Sequence, residues 1–413
     1  MSDYKKLCTL CLCLLGMLMP VAAQTNTPYS RYGYGILDDN AFSHQKAMGG
    51  VGYASRTKNQ INVMNPASYT SMDSLTFLFD FGLSFQNQWA SEGDARGQVP
   101  GGGLDYLSMQ FPLGRYMAGS IGLLPFSAVG YSFGATGDNG STVYSGDGGI
   151  SQAYIGVAGT PVKGLSLGVN IAYLFGSTVN QTQVDPDGAS VGIFQTEMSV
   201  TDFRFQFGLQ YSFNINPKNS FTIGAVYSPA KKIYGEFISV KNNANSTDTI
   251  NHGYMDKRYS LPHMVGAGLS YTYDQRLTIE ADFSWQNWAS AKFYNPDTKS
   301  DQAGTLFSDR MKLSLGAEYR PSLFAGGYMK HIRYRLGAFY NRSYLKIKGN
   351  NLDEFGVSCG FGLPMRNDKT MLNLSFEYID RNTQPTSLVR EQALRISLGI
   401  TFNEMWFWKR RFE

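Results

Sequence analysis

The charged residues of this chain fall at regular intervals, and that spacing limits what chemistry they can do. Asp80, Arg204, Glu280, Asp282, Lys312, Glu318, Arg333, Arg335, Glu377 and Arg395 each alternate with Phe, Tyr, Leu, Ile or Met neighbours. Successive side chains of an extended segment point to opposite faces, so these charges share one face and the apolar residues the other. Guanidinium groups on such a face suit a carboxylate ligand held by a bidentate fork. Mixed signs also suit mutual neutralisation inside a protein. Reflecting the chain across the 321–330 turn sets Glu318 opposite Arg335, and reflecting it across the 381–391 loop sets Glu377 near Arg395.

Catalytic patterns are poor by comparison. His44, His252, His263 and His331 are scattered, with no His-x-x-x-His spacing for a metal. No G-x-S-x-G stands beside a plausible base. Asp147-Gly148-Gly149 and Asp185-Pro186-Asp187 read as solvated loop carboxylates, with calcium as the alternative. Gly49-Gly50-Val51-Gly52 lacks the strand-turn-helix setting of a phosphate loop. The expectation is a non-enzyme with no cofactor and no metal.

The elements that carry the charges are long alternating strands. Phe77, Phe79, Phe81, Leu83 and Phe85 alternate with Thr76, Asp80, Gly82, Ser84 and Gln86, and Phe203 to Phe213 repeat the pattern. It recurs at Leu277–Gln286 and Leu394–Asn403. Fourteen strands are expected, near 75–89, 103–113, 117–132, 150–160, 164–176, 196–213, 220–239, 257–273, 276–289, 309–320, 331–346, 352–363, 369–380 and 392–403. Pro229 makes the seventh a candidate for breaking in two, and the 321–330 turn is long for its side. Tight turns at 113–116, 161–164, 214–219, 273–275 and 364–368 alternate with longer Gly/Asn/Asp/Ser-rich loops at 90–102, 134–149, 177–194, 241–256 and 294–308. Strands longer than the usual five or six residues, with short turns at one end and long loops at the other, predict an all-β transmembrane antiparallel barrel.

Composition agrees. Of 413 residues, 16% are charged, 14% are aromatic and 45 are Gly, with a net charge of +4. So little charge without a basic stripe argues against nucleic acid, and 43% hydrophobic residues argue against disorder. Lys5-Lys6, the apolar Leu7–Met19 and Pro20-Val21-Ala22-Ala23 form a secretory signal, residues 1–23, too short for a membrane anchor. Cys8, Cys11 and Cys13 lie inside that apolar run and do not follow the small residues of a lipoprotein site. Only Cys359 remains, so no intramolecular disulfide is expected. Residues 24–74 lack alternation and precede the first strand. They hang free, wrap the rim or enter the lumen. Residues 75–403 form the barrel and 404–413 a periplasmic tail. In that tail Trp406-Phe407-Trp408 suit an interface, and Lys409-Arg410-Arg411 suit phosphate headgroups or an acidic partner.

Three stretches carry a family resemblance. Ala47-Met48-Gly49-Gly50-Val51-Gly52 followed by Asn65-Pro66-Ala67 resembles the N-terminal signature of FadL-type long-chain fatty-acid transporters. Ala281-Asp282-Phe283-Ser284-Trp285-Gln286-Asn287-Trp288 is similar to a later family strand, and so are Leu315–Arg320 with Tyr334–Gly337. The order holds over essentially the whole mature chain. The resemblance implies a fourteen-stranded outer-membrane barrel with an N-terminal hatch, passing hydrophobic small molecules through a side opening at a kinked third strand. Pro125 lies in the third strand here and is the candidate for that opening or for a bulge that adjusts curvature. The expected partners are outer-membrane lipid, an apolar ligand, and outer-membrane or periplasmic proteins. The segment Pro28–Tyr34 is polar and aromatic where an apolar hatch would be greasy. That departure keeps a second reading open, a non-transporting barrel subunit or scaffold of an outer-membrane assembly or secretion complex.

Overall fold

The computed structural model describes residues 27–405, except 139, 189, 244–245, 256–257, 296–298, 323–326, 366–369 and 387. The expected signal segment and the tail from Trp406 onward lie outside these residues.

Sixteen principal strands follow in chain order: β1 (Thr76–Glu92), β2 (Ala95–Pro112), β3 (Met117–Gly137), β4 (Gly140–Val162), β5 (Leu165–Pro186), β6 (Gly192–Asn216), β7 (Asn219–Ser228), β8 (Gly235–Asn243), β9 (Ser246–Tyr254), β10 (Met264–Tyr273), β11 (Leu277–Gln286), β12 (Arg310–Tyr319), β13 (Arg333–Ile347), β14 (Asn350–Pro364), β15 (Met371–Gln384) and β16 (Arg390–Met405). Fourteen of them, β1–β7 and β10–β16, close a ring of antiparallel neighbours. The seam joins the first strand to the last, from Thr76 opposite Met405 to Ser91 opposite Arg390. Glu404 and Met405 therefore belong to the wall, where the sequence pattern had assigned them to the tail.

Proline breaks the seventh strand as expected. It cannot donate to a ladder, and β7 ends at Ser228, just before Pro229. β7 covers the lower edge of β6, from Asn216 opposite Asn219 to Phe207 opposite Tyr227. β8 takes the upper edge, from Val200 opposite Gly235 to Gly192 opposite Asn243, and turns back as β9. The eighth wall strand consequently starts at Met264, where 257 was expected.

The loops expected at 90–102, 134–149, 177–194 and 241–256 are corrected: among the described residues strand covers them except at 93–94, 138, 187–188, 190–191 and 255. Glu92 pairs with Ala95 and Gly137 with Gly140, so β1–β2 and β3–β4 end in tight hairpins, and β5 runs to Pro186. Beyond the lipid both faces of a hairpin meet water. Alternation then disappears from the sequence while the backbone ladder continues.

The outward face is a belt of exposed apolar side chains, including Phe203, Phe205, Phe207, Leu209, Tyr211 and Phe213, with Leu269, Phe283, Leu315 and Leu336 on other strands. A belt this extensive requires an apolar solvent. Among the described residues no helix is long and apolar enough to cross a membrane, whereas a barrel crosses with strands.

The interior is filled by residues 27–75. In the long-loop half, residues 287–295 and 299–309 fold over the mouth and supply Trp288, Phe293 and Phe307 to an aromatic core with Tyr34 and Tyr344. Trp288 lies 4.4 Å from Tyr344 between ring centroids, and Tyr34 meets Phe293 edge-on at 5.2 Å. The Tyr344 hydroxyl donates to Gly35 O (2.6 Å) and accepts from Tyr34 N (3.0 Å).

Candidate functional site: a plugged and charge-lined lumen

The plug is a chain of short capped turns. Pro28 opens a 3-10 turn whose Thr27 cap accepts from Tyr29 N, and Pro66 opens another, Pro66–Ser71. Proline fits there because the first turn needs no donor. Asn65 caps the second turn by accepting from Ala67 N at 3.1 Å. Its amide nitrogen donates to Tyr53 O (2.6 Å) and reaches the wall at Leu209 O (3.1 Å). This geometry gives the Asn65-Pro66-Ala67 motif a physical role: one side chain ends the turn and ties it to β6.

Glycines on the inner wall let plug backbone touch wall backbone. A Cβ at Gly224 would lie 1.9 Å from Tyr53 O, and one at Gly337 would lie 2.1 Å from Gly49 N. Gly168, against Pro66 C at 2.5 Å, and Gly316, against Met48 O at 2.4 Å, face plug backbone in the same way. No other residue type fits at such distances.

Charge completes the attachment. Asp282 accepts from the backbone N–H groups of Gly52 (2.6 Å) and Tyr53 (2.8 Å), and Glu280 accepts from Ser270 (3.1 Å). Asp39 of the plug is clasped by Arg310 and by Lys312 at 2.6 Å, and Lys46 bridges to Asp105 of β2 at 2.8 Å. Burial alone would raise Asp39, but Arg310 and Lys312 outweigh it and hold its carboxyl well below the usual carboxylate range. Its neighbour Asp38 is raised by burial. His44, in the short helix α1 (Ser43–Lys46), is pushed down to about 3 by burial and then by Arg335. Neither of its ring nitrogens has a hydrogen-bond partner among the described residues.

All the alternating charges singled out from the sequence line this interior. Glu318 stands opposite Arg335 in the ladder and binds it at 2.7 Å, with Arg333 at 3.1 Å. Glu377 faces Arg395 at 3.7 Å. Asp80 accepts from Thr401 (2.7 Å). Arg204 is set apart: its guanidinium lies 5.6 Å from the Phe126 ring centroid, and no carboxylate is within ion-pair distance among the described residues. The alternation read from the sequence passed over Arg310, Glu354, Arg381 and Glu391, which form a further linked set. Arg381 binds Glu354 and, at 2.8 Å, Glu391. Arg310 shares a strand face with Lys312, so the same alternation would have found it. Asp38, Asp39 and Lys46 sit in an irregular segment where no period marks them.

A cavity of about 110 Å³ lies between plug and wall, lined by Asp39, Lys46, Asp105, Lys312, Glu377 and Arg395. It reaches Leu104 and Pro125 at the place where β2 and β3 part. Among the described residues, no β2–β3 pair forms above Leu107 opposite Leu123. The register against β4 shifts between Pro125 and Ser127. The plug occupies the vacated edge of β3: Ile36 and Leu37 pair with Ala128 and Ser127, and Asp38 N donates to Phe126 O at 3.0 Å. Pro125 therefore marks a bulge and a divergence of the wall together.

Solved structures share this fold. The Pseudomonas putida toluene transporter TodX superposes with a TM-score of 0.63 at 15% identity, over 90% of this chain and 100% of that one. A Pseudomonas aeruginosa FadL homologue gives 0.62 at 11% identity, over 89% and 99%. The CymD monoaromatic hydrocarbon channel gives 0.56 at 17%, over 89% and 98%. Identities this low speak for fold, and the fold is a divergent FadL-type barrel. No curated protein matches the sequence. A family model matches residues 4–413, and the chain belongs to the BamG family.

Proposed function

We propose that this protein is a closed outer-membrane barrel that acts through protein contacts, as a non-transporting subunit or scaffold of an outer-membrane protein assembly or secretion complex. The observation that carries this reading is the attachment of the plug. Backbone-to-backbone contact on inner-wall glycines and buried ion pairs fix it on several sides, and the cavity beside it is lined by charge. A hydrocarbon needs a dry apolar path, and moving buried charges apart to make one is costly. Membership of the BamG family, matched over nearly the whole chain, points the same way. The family resemblance places transport first; the packing of the lumen is what supports the opposite order here.

Transport remains the second reading, favoured by the parting of β2 and β3 at Pro125 and by the likeness to hydrocarbon channels. Purification through a native tag in gentle detergent, followed by mass spectrometry, separates the two. The scaffold reading expects a stoichiometric outer-membrane partner and no toluene or fatty-acid uptake by reconstituted liposomes. A solitary barrel that passes toluene overturns it.

A further inference from the structure

A cavity of about 350 Å³ lies above the plug, toward the long-loop mouth. That is the lower end of the size range of ligand pockets. Its walls are the rings of Tyr32, Tyr131, Phe194, Phe237 and Tyr294, from the plug, three wall or hairpin strands and residues 287–295. Between the rings stand hydroxyls and amides, among them Thr178, Asn180 and Thr196. The composition differs from the charged chamber below and from an apolar hydrocarbon site.

Two polar groups are poised toward a ligand. Asn180 spends its carbonyl oxygen on the Tyr131 hydroxyl at 2.7 Å, which fixes the amide and leaves its N–H₂ group as a donor. The Arg31 guanidinium lies over the Tyr144 ring, 4.0 Å from its centroid. No carboxylate lies within ion-pair distance of Arg31 among the described residues. Stacked in this way, it is held in place with its fork still available to an anion. Phe194, at 41% exposure, keeps the cavity open to solvent. Outer-membrane barrels turn their short turns to the periplasm, so this mouth faces outward.

We infer that this cavity binds an acidic saccharide: a pyranose ring stacked on the aromatic walls, its hydroxyls read by Asn180 and the threonines, its carboxylate taken by Arg31. Aromatic rings offer flat apolar surface to the C–H face of a sugar, and a guanidinium pairs with carboxylate in bidentate geometry. The site is independent of the scaffold reading, since it lies apart from the lipid-facing belt.

The test is calorimetric titration of the full chain in detergent with digalacturonate, with maltose as neutral and toluene as apolar comparison. Digalacturonate is expected to bind at least tenfold more tightly than maltose, and toluene not at all. Arg31→Gln is expected to remove that tenfold preference; Asn180→Ala weakens both sugars. A heat-modifiable band in gel electrophoresis checks that each variant is folded. Titration with lipopolysaccharide vesicles distinguishes a lipid-linked source of the same acidic sugar from a free one. Absence of binding by both digalacturonate and the vesicles, equal affinity in Arg31→Gln, or toluene binding in the cavity overturns the proposal.

Discussion

The two halves of the lumen are filled by opposite means. From the short-turn end up to the level of Arg310, the plug meets the wall through glycine backbone and paired charge, as at Gly224, Gly337 and Asp39. Near the long-loop end it meets an aromatic core in which Tyr34, Trp288, Phe307 and Tyr344 touch through broad ring faces. Shape and charge tolerate almost no change, because a backbone contact cannot retreat and a buried ion cannot be left alone. Aromatic area yields gradually, side chain by side chain. The lower half therefore decides whether the plug is present, and the upper half how firmly the mouth is closed over it.

The largest effect expected from this contrast is that of Gly337→Val. A side chain there meets Gly49 N and Met48 C at 2.1 Å, and the plug cannot seat. Loss of the heat-modifiable folded form, or protease cleavage within residues 43–70, is the readout; a normally folded, protease-resistant variant removes the glycine argument. Asp39→Ala comes next. It takes from the buried Arg310 and Lys312 the carboxylate that both are ion-paired with, at a cost of about 3–5 kcal/mol in urea unfolding. At neutral pH that loss should be fully expressed. The Asp39 carboxylate is held below its unfolded value, so in the native protein its contribution is present above an ordinary carboxylate pKa of about 3.9 and fades only in stronger acid.

His44 gives a smaller effect with a distinct signature. Its folded value is depressed to about 3, so the native ring stays neutral while the unfolded chain takes up a proton below about 6.5. Stability should fall as pH drops through that window, by on the order of 3 kcal/mol. His44→Gln should flatten the slope between pH 6.5 and 3 without a matching change at pH 8. An unchanged slope would mean that His44 is solvated in the native state. Smallest is Tyr344→Phe in the aromatic half. It strips Tyr34 N and Gly35 O of their partner, costing about 1–3 kcal/mol and leaving the plug resistant to protease. If Tyr344→Phe loosens the plug as much as Asp39→Ala does, the division between the halves is wrong.

The strands and their inner charges were legible because lipid on one face and lumen on the other impose a period of two. Phe203–Phe213 and the Glu318–Arg335 opposition follow from that period alone. Where water bathes both faces the period vanishes, so the hairpins through 90–102 and 134–149 looked like loops. The plug has no period at all. Its Asp39 takes its meaning from wall residues more than 270 positions away and its Lys46 from Asp105, 59 positions away, and the pocket at Arg31 and Asn180 joins elements that no local pattern connects.

The seam between β1 and β16 bears on how the molecule comes to exist. The plug precedes β1 in the chain, and Thr27 ends up bonded to Glu391 of the final strand, 364 positions later. Because the glycine contacts leave no clearance, inserting residues 27–75 into a finished ring would have to force the wall apart, and seating them before the last hairpin closes avoids that cost. A barrel that zips up too early would be intact in its wall and empty inside, an open hole in the membrane. The order of events during biogenesis, more than the strength of any one bond, separates that product from the sealed protein.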